Sequence, residues 1–208
     1  MEQAAGKTTQ RRPDRRDRIL EGARQLFAEL GYERVSMDLI AERAGVSKAT
    51  VYGHFEDKRA LFLAALLDVL CDLRDRIAKV LEDQTGDAAV DLQRVGENFL
   101  EVLLAPASIA LHRVLVAEAV RFPELGSALW EHCNCTTKNW LASYLERQHA
   151  AGTLQVDDAL VAACQFLALC QVDLVVQAQF GITPSPGAAE IRAAVSQAVR
   201  TFLRANPP

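Results

Sequence analysis

Side chains able to hold a phosphate or read a base edge crowd into residues 36–58, SMDLIAERAGVSKATVYGHFEDK. Lys48 and Lys58 carry compact positive charges suited to a nucleic-acid backbone, and Thr50, Tyr52 and His54 carry donors suited to phosphate oxygens. Ala49 ends in a methyl group, whose best use in a major groove is contact with a thymine methyl. Ser36 stands where a helix would begin, so its hydroxyl and the exposed amides behind it can meet a phosphate. Arg43, at the end of that helix, is either a reader of a base edge or a plain surface cation. Tyr52 has packing as its alternative, and His54 a neutral place on the surface.

The elements that must position these groups are marked by the same residues. Ser36 suits an N-cap, and Met37, Ile40, Ala41 and Ala44 follow at helical spacing. Gly45 can enter a left-handed turn without steric cost, Val46 points inward, and Ser47 caps the next helix. The spacing predicts helices over 37–44 and 48–54 joined by a tight turn. That is a helix-turn-helix, whose second helix lies in the DNA major groove.

Around this unit the chain reads as all-α. A first helix is predicted over 13–30, with Pro13 at its first position, Asp14 in its first turn and Gly31 ending it. Asp57 caps a long fourth helix over 57–83, whose buried side takes Leu61, Phe62, Leu66, Leu70 and Leu73. Further helices are expected over 88–104, 107–121, 123–150 (with a bend near Cys135), 157–180 and 188–205. The organisation is a basic arm at 1–12, a three-helix DNA-binding domain at 13–56, and a helical bundle at 57–208 entered through the long helix. The net charge of −4 is uneven: residues 1–18 hold six basic against three acidic side chains. Such an arm attracts phosphates, or is simply a solvated tail. No window offers about 18 uncharged apolar residues, and no apolar region follows the basic N-terminus, so no membrane span or secretory signal is read and the cytoplasm is the expected compartment.

The segment GVSKATVYGHFEDKRALF, preceded by RILEGARQLFAELGYERVSMDLIA, resembles the DNA-binding domain of the TetR family of bacterial transcriptional repressors. The resemblance covers about residues 14–62. A second stretch, AEAVRFPEL at 117–125, is similar to one branch of that family's effector domains. The resemblance implies a homodimer on a palindromic operator, with residues 57–208 serving ligand binding and dimerisation. It further implies a ligand-released repressor, and the richness of the fourth to eighth helices in Leu, Val, Phe and Trp points to a small, largely apolar effector.

The C-terminal part contains aromatic and polar side chains that could line an effector cavity: Phe99, His112, Trp130, Asn134, Phe166 and Asp173, with Trp140 and Tyr144 beside them. Each has core or surface as its alternative. Asp173 stands out because it interrupts an almost uncharged run, LALCQVDLVVQAQF. Buried there, it would have to pair with a cationic ligand, a helix dipole or a basic residue. Five cysteines and no export signal argue against a disulfide framework. Cys133 and Cys135 lie two apart, about 200° around a helix, so they converge on one ion only if the helix breaks. No metal or cofactor is expected, and a thiol- or metal-sensing regulator remains the alternative. No Ser/His/Asp order, phosphate-cradling Gly loop or Glu-x-x-His pair occurs, which disfavours the rival reading of a helical-bundle enzyme; an adaptor that binds protein through its apolar helices is the third reading. The helices near 157–180 and 188–205, the latter with Ile191, Val195, Val199 and Phe202 in one stripe, are expected either to form a four-helix bundle across a two-fold axis or to pack inside one protomer.

Overall fold

The computed structural model describes residues 14–124, 126–127, 130–131, 137–183 and 185–208, apart from the side chains of Leu70 and Arg74. The arm at 1–12, Pro13, and the expected bend near Cys135 with Cys133 and Asn134 lie outside these residues. Among the described residues the structure is helical and has no strand, as the sequence predicts.

Helix starts follow the capping residues. Asp14 caps α1 (Arg15–Arg34): its carboxylate accepts from the Arg16 amide, and Asp17 reaches back to the Asp14 amide. Gly31, at φ 73°, interrupts α1, and a last turn carries on to Arg34. Ser36 caps α2 (Met37–Ala44) and Ser47 caps α3 (Lys48–His54), each accepting a backbone N–H of the first turn. Between them Gly45 is left-handed at φ 63°. The amide of Gly45 donates to Glu42 and that of Val46 to Ala41, which satisfies the last carbonyls of α2 in a Schellman arrangement. Asp57 caps α4 (Lys58–Glu82) and Asp87 caps α5 (Ala88–Leu103). Pro106 opens α6 (Pro106–Ala119), which is bent 65° from α5. Further along the chain come α7 (Thr137–Ala150), α8 (Ala159–Gln171), α9 (Leu174–Phe180) and α10 (Ala188–Ala205).

The expected single helix over 157–180 is broken. Asp173 has φ 62° and ψ −48°, and the Leu174 amide donates to the Val172 carbonyl at 2.8 Å. This is a γ-turn with a positive φ at its centre, a strained conformation for a residue with a side chain. It bends α9 by 54° from α8. No single described helix is long and apolar enough to cross a membrane.

Two hydrophobic cores organise the fold. One joins α1, α2, α3 and the first turns of α4 through Ile19, Phe27, Ile40, Val51, Phe55, Leu61 and Phe62. Phe27, Tyr32 and Phe62 meet there at ring-centroid distances of 4.9–5.9 Å, a geometry that adds to plain burial. Leu111 and Leu115 of α6 belong to this same core. The second core packs α4, α5, α7, α8 and α10 around Tyr144, Phe166 and Phe202. Gly96 lets α5 approach α10 closely, since a Cβ at this position would lie 2.5 Å from a Val195 methyl carbon. Asp91 is fully buried yet satisfied: it accepts from the Thr85 amide at 2.8 Å, the Thr85 hydroxyl at 3.0 Å and the Tyr144 hydroxyl at 3.1 Å. Burial, with the Asp91 carboxylate alongside, holds the Tyr144 phenol neutral by raising its pKa far above the ordinary value.

Candidate nucleic-acid interface and effector cleft

Val51 is the buried residue of α3, and it fixes which face the helix turns outward. Lys48, Ala49, Tyr52 and His54 are exposed on that helix, with Thr50 half-buried. Tyr52 is 48 % exposed, so packing is not its main role in the isolated protomer. The Thr50 hydroxyl lies 2.8 Å from that of Ser47, so part of its hydrogen-bonding capacity is used within the cap. Ser36 accepts from the Leu39 amide at 3.2 Å at the start of α2.

The cations near this face are engaged with the protein itself. Lys48 Nζ lies 2.8 Å from an Asp38 oxygen and 6.0 Å from the centre of the Tyr52 ring. The hydrogen bond to Asp38 raises the Lys48 pKa above its ordinary value. Arg43 makes a bidentate pair with Glu29 of α1, at 3.0 and 2.9 Å, which lowers the Glu29 pKa. This pairing joins α1 to α2 and gives Arg43 a structural role within the protomer. Lys58 is half-buried: its ammonium donates to the carbonyls of Tyr32 at 3.0 Å and Glu33 at 3.4 Å, and sits 4.3 Å from the Tyr32 ring centre. It closes the C-terminal end of α1, where a positive charge is favoured by the helix dipole. The expectation of a phosphate contact from Lys58 overlooked these carbonyls, because they come from residues 25 and 26 positions earlier in the chain.

The expected effector residues do not converge. Phe99 and Phe166 are core, the latter packed against Phe202 at 5.4 Å. Trp130 is 68 % exposed, with the Lys138 ammonium over its ring. Asp173 is exposed at the α8–α9 bend rather than buried, so it does not need the partner its apolar surroundings in the sequence suggested. Asn134 lies outside the described residues. His112 alone of this set borders a cleft, of about 130 Å³. Leu66 and Val69 of α4, Leu103 of α5, and Ser108, Ile109, Leu111 and Leu115 of α6 form its walls, with Gln171, Val175 and Gln179 opposite. Sequence reading missed Ser108, Gln171 and Gln179. Val175 and Gln179, four apart on α9, share one face, and the bend at Asp173 brings Gln171 of α8 to the same cleft. Burial pushes the Cys170 thiol up to about 12, so it is a packing group and not a reactive one.

A ring of contacts ties the end of α6 to the DNA-binding core. Arg121 pairs with Glu33, Arg59 pairs with Glu124 at 2.6 Å, and Phe122 meets Tyr32 edge-on at 5.9 Å. The RFPE segment from the second resembling stretch is therefore a clamp on the last turn of α1 and the first turn of α4.

Comparison with known proteins agrees with this arrangement. Residues 19–65 match the family model of bacterial regulatory proteins of the tetR family, and residues 90–206 match that of the AefR-like transcriptional repressor C-terminal domain. The chain is 50% identical over 80 residues to the HTH-type transcriptional repressor AcnR of Corynebacterium diphtheriae, an alignment spanning 38% of each protein. The chain thus matches little more than a third of AcnR's length. A TetR-family transcriptional regulator of Mesorhizobium loti superposes with a TM-score of 0.85 at 28% identity, covering 93% of this chain and 97% of that one. The flavonoid-responsive regulator FrrA superposes with a TM-score of 0.71 at 31% identity, with the same coverage of 93% and 97%.

Proposed function

Because the chain belongs to the TetR family of bacterial transcriptional regulators, we propose that it is a repressor that binds a palindromic operator as a homodimer and lets go when a small, largely apolar molecule fills the cleft beside α6. The observation that carries this reading is the double membership of Leu111 and Leu115. Both line the cleft, and both belong to the core that seats α3. A ligand that displaces α6 must repack the DNA-binding core or strain the clamp at Arg121–Glu33 and Arg59–Glu124. Repression by AcnR and responsiveness to a small organic molecule by FrrA are in keeping with it.

The DNA face in this reading is Ser36, Lys48, Ala49, Thr50, Tyr52 and His54. Two such faces must meet successive major grooves about 34–36 Å apart, which calls for a two-fold dimer. The dimer seam is the outer side of α8 and α9. Val161, Val172, Val176 and Phe180 are 49, 61, 51 and 78 % exposed, an apolar surface suited to burial against a second copy. The apolar stripe of α10 does not contribute to that seam as expected. Val199 and Phe202 are 5 and 2 % exposed and pack inside the protomer, leaving Arg192, Gln197, Arg200 and Arg204 on the outer face.

The test is a fluorescence-anisotropy titration of the full chain on the promoter region beside its own gene, at fixed salt. Wild type should bind that DNA more tightly than a scrambled duplex. Tyr52→Ala should lose about 1–3 kcal/mol, as expected for a hydrogen bond to a charged group. Equal binding to both duplexes would overturn the proposal.

A further inference from the structure

The described cations of the DNA-binding unit fall into two groups. Arg24, Arg43, Lys48 and Arg59 each pair with a carboxylate, and Arg34 and Lys58 donate to backbone carbonyls. Arg15, Arg16 and Arg18 are exposed and, among the described residues, their side chains pair with no carboxylate and donate to no carbonyl. All three stand in the first turn of α1, where the positive end of the helix dipole disfavours a cation. The carboxylates beside them, Asp14 and Asp17, are spent on the cap amides. The cluster is unfavourable for the helix that holds it, and an anion from outside the protomer relieves it.

Packing places this cluster beside the helix-turn-helix. The Arg16 guanidinium carbon lies 5.7 Å from the ring centre of Phe55, the residue that ends α3. Lying over a ring leaves the guanidinium N–H groups free to donate in its own plane. Arg18 borders a hollow shared with Arg43 and Ala44 at the end of α2. Gly22 seats α1 against that end, since a Cβ on it would lie 3.3 Å from Arg43 Cγ. The start of α1 therefore lies against the ends of both α2 and α3.

The sequence continues the positive charge upstream. Arg11 and Arg12 come just before this turn, and Lys7 precedes them. A three-helix unit whose third helix fills the major groove can send the arm before its first helix into the adjacent minor groove. The two grooves are about 17 Å apart, half of the roughly 34–36 Å helical repeat, and twelve residues span up to about 40 Å. A narrow, A·T-rich minor groove has the negative potential that favours arginine. We propose that this end of the chain makes a second DNA contact. Arg15, Arg16 and Arg18 hold phosphates beside the half-site read by α3, and Arg11 and Arg12 enter the flanking minor groove, where they favour A·T pairs. This rests on the reading of the chain as an operator-binding protein.

Inosine separates the grooves. An I·C pair lacks the minor-groove amino group of G·C, so it offers the minor groove of A·T with the major groove of G·C. Hydroxyl-radical footprinting of the full chain on the promoter region beside its own gene locates the half-sites. Anisotropy titrations then compare duplexes whose flanking pairs are A·T, I·C or G·C. Wild type should bind the A·T and I·C duplexes alike, and each about fivefold more tightly than the G·C duplex, the low end for one unfavourable base pair. Arg11→Ala with Arg12→Ala should abolish that preference without moving the melting temperature or the preference for promoter over scrambled DNA. Arg16→Ala should reduce the magnitude of the slope of log affinity against log salt by about 0.9 per subunit. Equal binding to all three duplexes, an I·C duplex bound like G·C, or an undiminished preference in the double variant would overturn the minor-groove contact while leaving operator binding intact. An unchanged slope in Arg16→Ala would take Arg16 off the phosphates. Wild type that fails to distinguish promoter from scrambled DNA would sink the operator reading itself, and this contact with it.

Discussion

Lys58→Met separates two roles for one ammonium group. The substitution keeps most of the aliphatic stem and removes the charge. The structure sets the size of the loss. One charge-assisted hydrogen bond to the Tyr32 carbonyl, at 3.0 Å, is deleted together with a cation–ring contact at 4.3 Å. The Tyr32 carbonyl retains the Val35 amide at 3.3 Å, so it is not orphaned and the cost stays toward the low end. A hydrogen bond to a charged group contributes about 1.5–3 kcal/mol and an exposed cation–π contact about 0.5–1 kcal/mol. The expected loss is therefore about 2 kcal/mol of stability. For a chain of this size each kcal/mol moves the melting temperature by about 2–4 °C, giving a fall of about 4–8 °C. Circular-dichroism melts read that fall. A parallel salt titration of operator binding should show an unchanged slope of log affinity against log salt. The opposite pair of results would refute the reasoning: an unmoved melting temperature with a slope smaller in magnitude by about 0.9 per subunit would put the ammonium on a phosphate.

Four further substitutions probe other parts of the structure. Lys48→Ala should reduce the magnitude of the salt slope by about 0.9 per subunit, whereas Asp38→Asn should tighten operator binding by releasing Lys48 and removing a carboxylate from beside the phosphates; unchanged affinity in Asp38→Asn would remove the pair from the interface. Gly96→Ala should lower stability, because overpacking against Val195 and Cys170 costs about 1–3 kcal/mol against a helix-propensity gain of about 1 kcal/mol, and a raised melting temperature would contradict the close approach of α5 to α10. Asp173→Gly should raise the melting temperature by relieving about 1 kcal/mol of strain at φ 62°, and a lower one would mean that the aspartate side chain holds the bend in place.

The helix-turn-helix was legible because its signals are local. Ser36, Gly45 and Ser47 each act on the backbone within a few residues, so α2 and α3 fall where the spacing put them. The break at Asp173 was not legible. Leu169 to Phe180 is an apolar run with no Gly or Pro in it, and only tertiary packing bends it there. The intramolecular partners of the cations were not legible for the same reason. Glu29 and the Tyr32 carbonyl reach Arg43 and Lys58 only once α1 lies across α2 and α4. In the effector half, bulky aromatics drew attention while the cleft is bordered by glutamines and a serine. Phe99 and Phe166 fill the second core because large rings contribute most by being fully buried, and what remains to face a ligand is smaller and more polar.

Coupling between the two halves then has a physical basis in α6. Its Ile109 belongs to the second core, its Leu111 and Leu115 to the first, and all three line the cleft. Occupying the cleft cannot leave both cores as they are unless the ligand fits the existing volume without moving α6. A ligand that fits without moving it shifts nothing, however tightly it binds, because only a difference in affinity between two states moves an equilibrium. The clamp residues are where that difference would register, since Arg121–Glu33 and Arg59–Glu124 join the segment after α6 to the ends of α1 and α4. Linkage makes the coupling reciprocal: operator DNA must weaken the ligand by the factor by which the ligand weakens DNA. Glu33→Gln and Glu124→Gln together should therefore reduce that factor at both sites equally. A double variant whose ligand and operator affinities remain coupled as in wild type would show that the signal reaches α3 through the shared leucines alone.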